Sequence, residues 1–239
     1  MLLAKSRGTV VPGFKGKLMI KNILVAAAIG TAAFGAQANA VANGSFESAT
    51  YGGEYCYGTA CGIADWNVVA NTNVGAWTGP VLISSTSGAW GNPDTATHGV
   101  SLGNYVLGLQ NTSTDIVGGV NSGMTSSFSV VAGQTYELSW DDAGRSGYAN
   151  HQYDVSMGGV DLGIFSTTSG QGWLAHQVAF TATSSGLLTF TGLTGGASGY
   201  DGTSFIDNVS ATAVPEPTSL MLMFAGILGL VAWRRRAQV

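Results

Sequence analysis

Between Val41 and Ala213 no stretch spaces its apolar residues at the 3.6-residue period of a helix, while several alternate strictly between apolar and polar. Such alternation constrains the fold strongly, because a period of two puts one face of a strand in a core and the other in water. The clearest run begins at Met124. Phe128 and Val130 fall on one side and Ser127 and Ser129 on the other; past Gly133-Gln134, Tyr136, Leu138 and Trp140 alternate with Glu137, Ser139 and Asp141. This predicts a hairpin with one wet face. His151 to Met157 alternates again, Gly158-Gly159 has the composition of a two-residue hairpin turn, and Val160 to Phe165 returns. Leu174, His176, Val178 and Phe180 share a face, and 187–192 and 204–212 supply the last strands. Upstream, 41–47, 63–69 and 104–110 read as strands, with long Gly/Asn/Ser/Thr-rich connections and short strands over 71–99. About nine to eleven short strands between Gly-rich turns predict an all-β fold, an antiparallel β-sandwich of jelly-roll type over 41–213.

Both ends read differently. Lys21, an apolar run from Ile23 to Phe34 and Ala38-Asn39-Ala40 have the order of a signal peptide, with Met19 its expected start and cleavage expected after Ala40. At the other end Pro215-Glu216-Pro217 terminates the domain, since proline continues neither strand nor helix. An uncharged run from Leu220 to Trp233 follows, then Arg234-Arg235-Arg236. That run spans roughly 21 Å as a helix, short of the ~30 Å hydrocarbon core. Thr218, Ser219 and snorkelling arginines make up much of the difference, so a transmembrane helix is expected over 218–233. The arginines hold its end in the cytoplasm.

The order Pro-Glu-Pro, short apolar helix, basic cluster resembles the PEP-CTERM sorting signal of Gram-negative bacteria. The resemblance covers Val214 to Val239 and implies recognition by an exosortase, a membrane protease, after transient anchoring in the inner membrane. It also implies an exported protein of the cell surface or extracellular matrix, associated with exopolysaccharide and biofilm.

The exported region carries thirteen acidic residues and one cation, Arg145, a formal charge of −12 between Val41 and Pro217. This speaks against nucleic acid, which needs a basic surface, and permits cation binding. Cys56 and Cys61, in an oxidising compartment, are expected to form a disulfide.

Four phrases resemble the galactose-binding-like jelly roll of bacterial carbohydrate-binding modules. They are Asn43-Gly44-Ser45-Phe46-Glu47, the run Ala132 to Ser139, Gly172-Trp173 ahead of Val178 to Ala182, and Phe205-Ile206-Asp207-Asn208-Val209-Ser210. The resemblance implies a structural calcium site, with the Glu47 and Asp207 carboxylates and the Ser45 carbonyl as ligands, clipping the ends of the domain together. Calcium would also relieve repulsion in so acidic a domain. A saccharide-binding face needs aromatic rings flanked by polar groups; Trp77, Trp90, Tyr148 and Trp173 are the candidates, with Trp66 and Trp140 assigned to the core. Arg145 is either a surface partner of Asp141 or Asp142 or a ligand contact beside Tyr148. No nucleophile elbow precedes a helix. The histidines His98, His151 and His176 are scattered, and only spatial pairing of Glu54, Asp65, Asp94, Asp141 or Asp142 would suit glycoside cleavage. A non-catalytic protein is expected, with a module binding one defined glycan as the alternative and a glycan hydrolase more distant.

Overall fold

The computed structural model describes residues 41–69, 79–91, 93, 102–112, 123–193, 200–214, 225–229 and 233–234. The chain forms two compact units, Met1–Ala36, outside the described residues, and Gln37–Val239. The expected signal peptide and Trp77 therefore lie outside the described residues.

Eleven strands are described in the second unit: β1 Tyr55–Tyr57, β2 Trp66–Val69, β3 Gly79–Ser84, β4 Tyr105–Thr112, β5 Gly123–Val130, β6 Thr135–Gly144, β7 His151–Met157, β8 Val160–Thr167, β9 Leu174–Thr181, β10 Gly186–Leu193 and β11 Asp201–Ala213. They make two antiparallel sheets, ordered β1-β3-β4-β11-β6-β9 and β2-β5-β10-β7-β8. The molecule is an all-β sandwich, as its alternation predicts.

The alternating residues face one another between the sheets. Leu82, Leu107, Leu138, Trp140 and Ile206 from the larger sheet meet Trp66, Met124, Tyr153, Val155 and Phe190 from the smaller. This core and its ladders come from residues 41–213, so the sandwich has the anatomy of an independent domain. The Gly158-Gly159 hairpin is present, with Met157 opposite Val160 and both glycines at positive φ, 59° and 74°.

Two expectations need correction. β5 and β6 alternate but do not pair: β5 lies between β2 and β10, and β6 between β11 and β9. The Gly133-Gln134 turn carries the chain from one sheet to the other, because alternation specifies a buried face and not a ladder partner. Residues 41–47 form turns instead of a strand. Asn43 and Phe46 adopt positive φ, 49° and 59°, and the Asn43 side chain binds the Ser48 N–H, the Ser48 carbonyl and the Ala64 carbonyl, a local network that competes with strand pairing.

Over β3, β4 and the adjoining ends of β6 and β11 the larger sheet is buried on both faces, while β9 at its edge keeps an exposed outer face. On the outer side of the sheet Val81, Ile83, Val106, Ala143 and Phe205 pack beneath Trp90, Leu102 and Trp173 in a second cluster. Loop residues after β3 cover this face. Glu54 pins them, accepting the Ser87 hydroxyl at 2.8 Å and the Ala89 N–H at 3.3 Å.

At the C-terminal end Ala225–Gly229 and Trp233–Arg234 are helical and exposed. No described helix is long and apolar enough to cross a membrane. Pro215, Glu216, Pro217, Arg235 and Arg236 lie outside the described residues, as does most of the span expected over 218–233.

Candidate functional site

The outer face of the larger sheet carries a cleft of about 210 Å³. Its floor comes from alternate positions on edge and central strands: Tyr55 and Tyr57 on β1, Gln110 on β4 and Asp201 at the start of β11. Trp90, Arg145 and Tyr148 complete it. The Arg145 guanidinium lies between two rings, 4.0 Å from the Trp90 centroid and 3.5 Å from that of Tyr148. Its Nη2 donates to the Ala89 carbonyl at 3.1 Å. The residue is 7% exposed, so the surface pair with Asp141 or Asp142 is not formed. Delocalised charge over an aromatic face is attractive, by about 2 kcal/mol or more when desolvated.

The polar wall is a relay. The Tyr57 hydroxyl donates to Gln110 Oε1, and Gln110 Nε2 donates to Asp201 Oδ1 at 2.8 Å. Burial raises the Tyr57 phenol well above its ordinary range, opposed by the positive charge of Arg145, so the hydroxyl stays a donor. Tyr148 is 40% exposed and offers ring surface to solvent, whereas Trp90 is buried against Arg145, Tyr55 and Tyr57.

Three of the expected contacts, Trp90, Tyr148 and Arg145, thus meet at one place. Trp173 does not join them. It is 2% exposed, and its indole N–H donates to the Pro93 carbonyl at 3.0 Å; it holds the covering loop on the sheet. Tyr55, Tyr57, Gln110 and Asp201 were missed by sequence reasoning. The signal was there in part: Tyr55 and Tyr57 stand two apart, on one face of a strand.

Of the expected calcium ligands, Ser45 and Glu47 belong to the turns at 41–47, which dock on β11, the strand that carries Asp207. The Val209 N–H donates to the Gly44 carbonyl at 2.9 Å, and a Cβ on Gly44 would stand 1.9 Å from the Val209 oxygen, so only glycine allows this approach. Glu47 accepts the Asn104 and Tyr105 N–H groups at 2.8 and 2.9 Å on one oxygen and the Asn104 side-chain amide at 2.9 Å on the other. Asp207 is fully buried at a bulge in β11; Oδ1 accepts the Asn208 N–H at 2.7 Å and Oδ2 has no hydrogen-bond partner. Burial, with the nearby Glu47 and Asp141 charges, pushes the Asp207 carboxyl up to about 8. A buried carboxylate oxygen without a donor needs a proton or a cation, so this oxygen fits a metal ligand. Among the described residues no group of three or more His, Cys, Asp or Glu could hold a metal ion; further oxygens would have to be carbonyls such as Ser45, or water.

Two polar rows run through the interior. Asp142 accepts Gln171 Nε2 at 3.1 Å and the Tyr153 hydroxyl at 2.7 Å; His176 Nε2 lies 3.0 Å from it, and the Trp140 indole donates to Tyr153 at 2.8 Å. His151 lies 2.8 Å from the Ser204 hydroxyl and 2.9 Å from Asn111 Oδ1. Serine, histidine and amide in a row suggest an activated nucleophile, but all three are fully buried and burial holds His151 neutral, its pKa lowered to about 3. Ser204 presents no oxygen at the surface. Among the expected carboxylates Asp142 is sealed in, Glu54 is occupied with the loop, and Asp94 and His98 lie outside the described residues. Cys56 and Cys61 are paired, their Cα atoms 5.4 Å apart.

The comparisons separate the tail from the sandwich. Residues 213–236 match the PEP-CTERM protein-sorting motif. A PEP-CTERM signal marks an exported protein with a C-terminal membrane-anchoring segment, processed by an exosortase. No curated protein matches the chain. Among solved structures it is similar to the K1 cleaved adhesin domain of Lys-gingipain from Porphyromonas gingivalis W83, at 16% identity over 75% of this chain and 99% of that one, TM-score 0.45. It is similar to TmCBM61, solved with beta-1,4-galactotriose, at 13% identity over 74% and 99%, TM-score 0.38. A carbohydrate-binding module of family 4 shares 17% identity over 46% and 84%, TM-score 0.34. Likenesses this distant carry nothing about function.

Proposed function

We propose that this PEP-CTERM protein is a non-catalytic, exported saccharide-binding protein that holds extracellular polysaccharide at the cell surface or in the surrounding matrix. The observation that carries the reading is the cleft built on Arg145. It combines an exposed ring, Tyr148, with a fixed donor, Arg145, and fixed acceptors on Gln110 and Asp201. Sugar rings present apolar C–H faces and hydroxyl edges, and this pairing of ring surface with oriented polar groups suits both. At about 210 Å³ the cleft is smaller than the ~300–1,000 Å³ of pockets that enclose a small molecule, which suits contact with one unit of a long chain. The test is a glycan array with the 41–213 domain: saturable binding lost in Tyr148→Ala while the variant still unfolds cooperatively, its melting temperature lowered by no more than a few degrees, supports the reading, and no binding to any glycan overturns it.

We also propose that calcium joins Glu47 and Asp207. The partnerless Asp207 Oδ2 supports this; a melting temperature indifferent to both calcium and chelator would remove it.

A further inference from the structure

The only cation in the exported region, among thirteen acids, forms no ion pair with a carboxylate among the described residues. The described ion pair is His176 with Asp142, and Arg145 stands apart from it. Its guanidinium donates to a single carbonyl, that of Ala89, and Nε is buried without a partner. A buried charge is costly unless it is paired. Ring stacking on Trp90 and Tyr148 supplies part of the compensation and also does something else: it clamps the guanidinium plane. The remaining N–H groups of a clamped guanidinium form a rigid fork of the kind that grips two oxygens of one oxyanion.

We infer that the cleft takes an acidic saccharide, its carboxylate or sulfate group held by the Arg145 fork while the sugar ring lies against Tyr148. This rests on the saccharide-binding reading above and narrows it to a charge class. The −12 charge of the region does not forbid it. At physiological salt, charges beyond roughly 8 Å are screened, and among the described acids Asp201 alone lines the cleft. Asp201 is already turned toward Gln110. Glu54 stands behind the Ala89 peptide with one oxygen taken by Ser87 and Ala89. A ligand bringing an oxyanion would therefore find a local donor set and one adjacent acceptor, which matches a sugar carrying both an anionic group and free hydroxyls.

The test is isothermal titration of the 41–213 domain with an oligouronate, the same oligouronate after reduction of its carboxyl groups to alcohols, a sulfated oligosaccharide and a neutral one. The expected result is at least ten-fold tighter binding of an anionic ligand than of the carboxyl-reduced and neutral ones, the stronger of the carboxylate and sulfate arms naming the group. Arg145→Lys, which keeps the charge but not the fork, is expected to lose most of that preference; if it fails to fold, the reduced ligand on the wild type decides. Equal or tighter binding of the neutral ligands overturns the charge class and leaves the saccharide reading standing. No binding in any arm overturns both.

Discussion

Over β3, β4 and the adjoining ends of β6 and β11 the larger sheet is buried on both faces, and the two are buried by different means. Its inner face is closed by the second sheet, strand against strand, and Trp140 there is clasped by Tyr153, Phe165 and Phe190. Its outer face is closed by loop residues that Glu54 and Trp173 tie down, and Trp90 there rests on Arg145 and two tyrosines. A face sealed by a sheet can only be core. A face sealed by a loop leaves a margin, and at that margin the part-exposed Tyr148 ring lies against the buried Arg145. The same chemistry that stabilises one side lines, on the other, the cleft proposed to bind saccharide.

Substitutions can break this contrast. Trp140→Ala is expected to cost about 3–5 kcal/mol, since two packed sheets cannot collapse into the cavity and the Tyr153 hydroxyl loses a donor. Trp90→Ala is expected to cost less, about 2–3 kcal/mol, because a loop settles more readily than a sheet. Urea unfolding of the two variants checks the order; equal losses would erase the difference between the faces.

The buried titrating groups sharpen it next. His151, neutral down to about 3, lets the unfolded chain bind the extra proton below about 6.5, so stability falls as pH drops there. Asp207, protonated up to about 8, lets the folded chain hold the extra proton above about 4, so stability falls as pH rises through that window. The two slopes oppose between about 4 and 6.5; from there to about 8 His151 no longer opposes Asp207, whose contribution is up to about 1.4 kcal/mol per pH unit and roughly 2 kcal/mol over that window. In calcium-free buffer, denaturation at a series of pH values is expected to show this decline, and Asp207→Asn to flatten it. Calcium at the Glu47 junction would turn the decline into a gain.

Reduction of Cys56–Cys61 is expected to lower stability by about 2 kcal/mol, small because the loop it closes is short, as followed by urea melts with and without reductant. Smallest is Tyr148→Ala, under about 1 kcal/mol in stability yet decisive for saccharide affinity.

The inner face was legible in the sequence because alternation is a local property. Tyr136, Leu138 and Trp140 point inward on β6, and His151, Tyr153, Val155 and Met157 on β7. Pairing was not legible, since β5 and β6 are neighbours in sequence and members of different sheets. The outer cluster was hidden for a related reason. Val81 and Ile83 lie in a strand buried on both faces, which has no alternation to read, and Gln110 and Asp201 meet from strands ninety-one residues apart. Trp90, Tyr148 and Arg145 could be singled out by residue type; that Trp173 is an anchor depends on its bond to Pro93, which no spacing announces.

Central to the account is the claim that the loop-sealed margin, and not another surface, is where ligand lands. Amide and side-chain NMR of the 41–213 domain, titrated with an acidic oligosaccharide, tests this directly. The account predicts shifts centred on the Trp90 indole, the Arg145 guanidinium and the Tyr148 ring. Shifts centred instead on the groove of about 600 Å³ lined by Glu54, Ser85, Thr86 and Asn104 would contradict it.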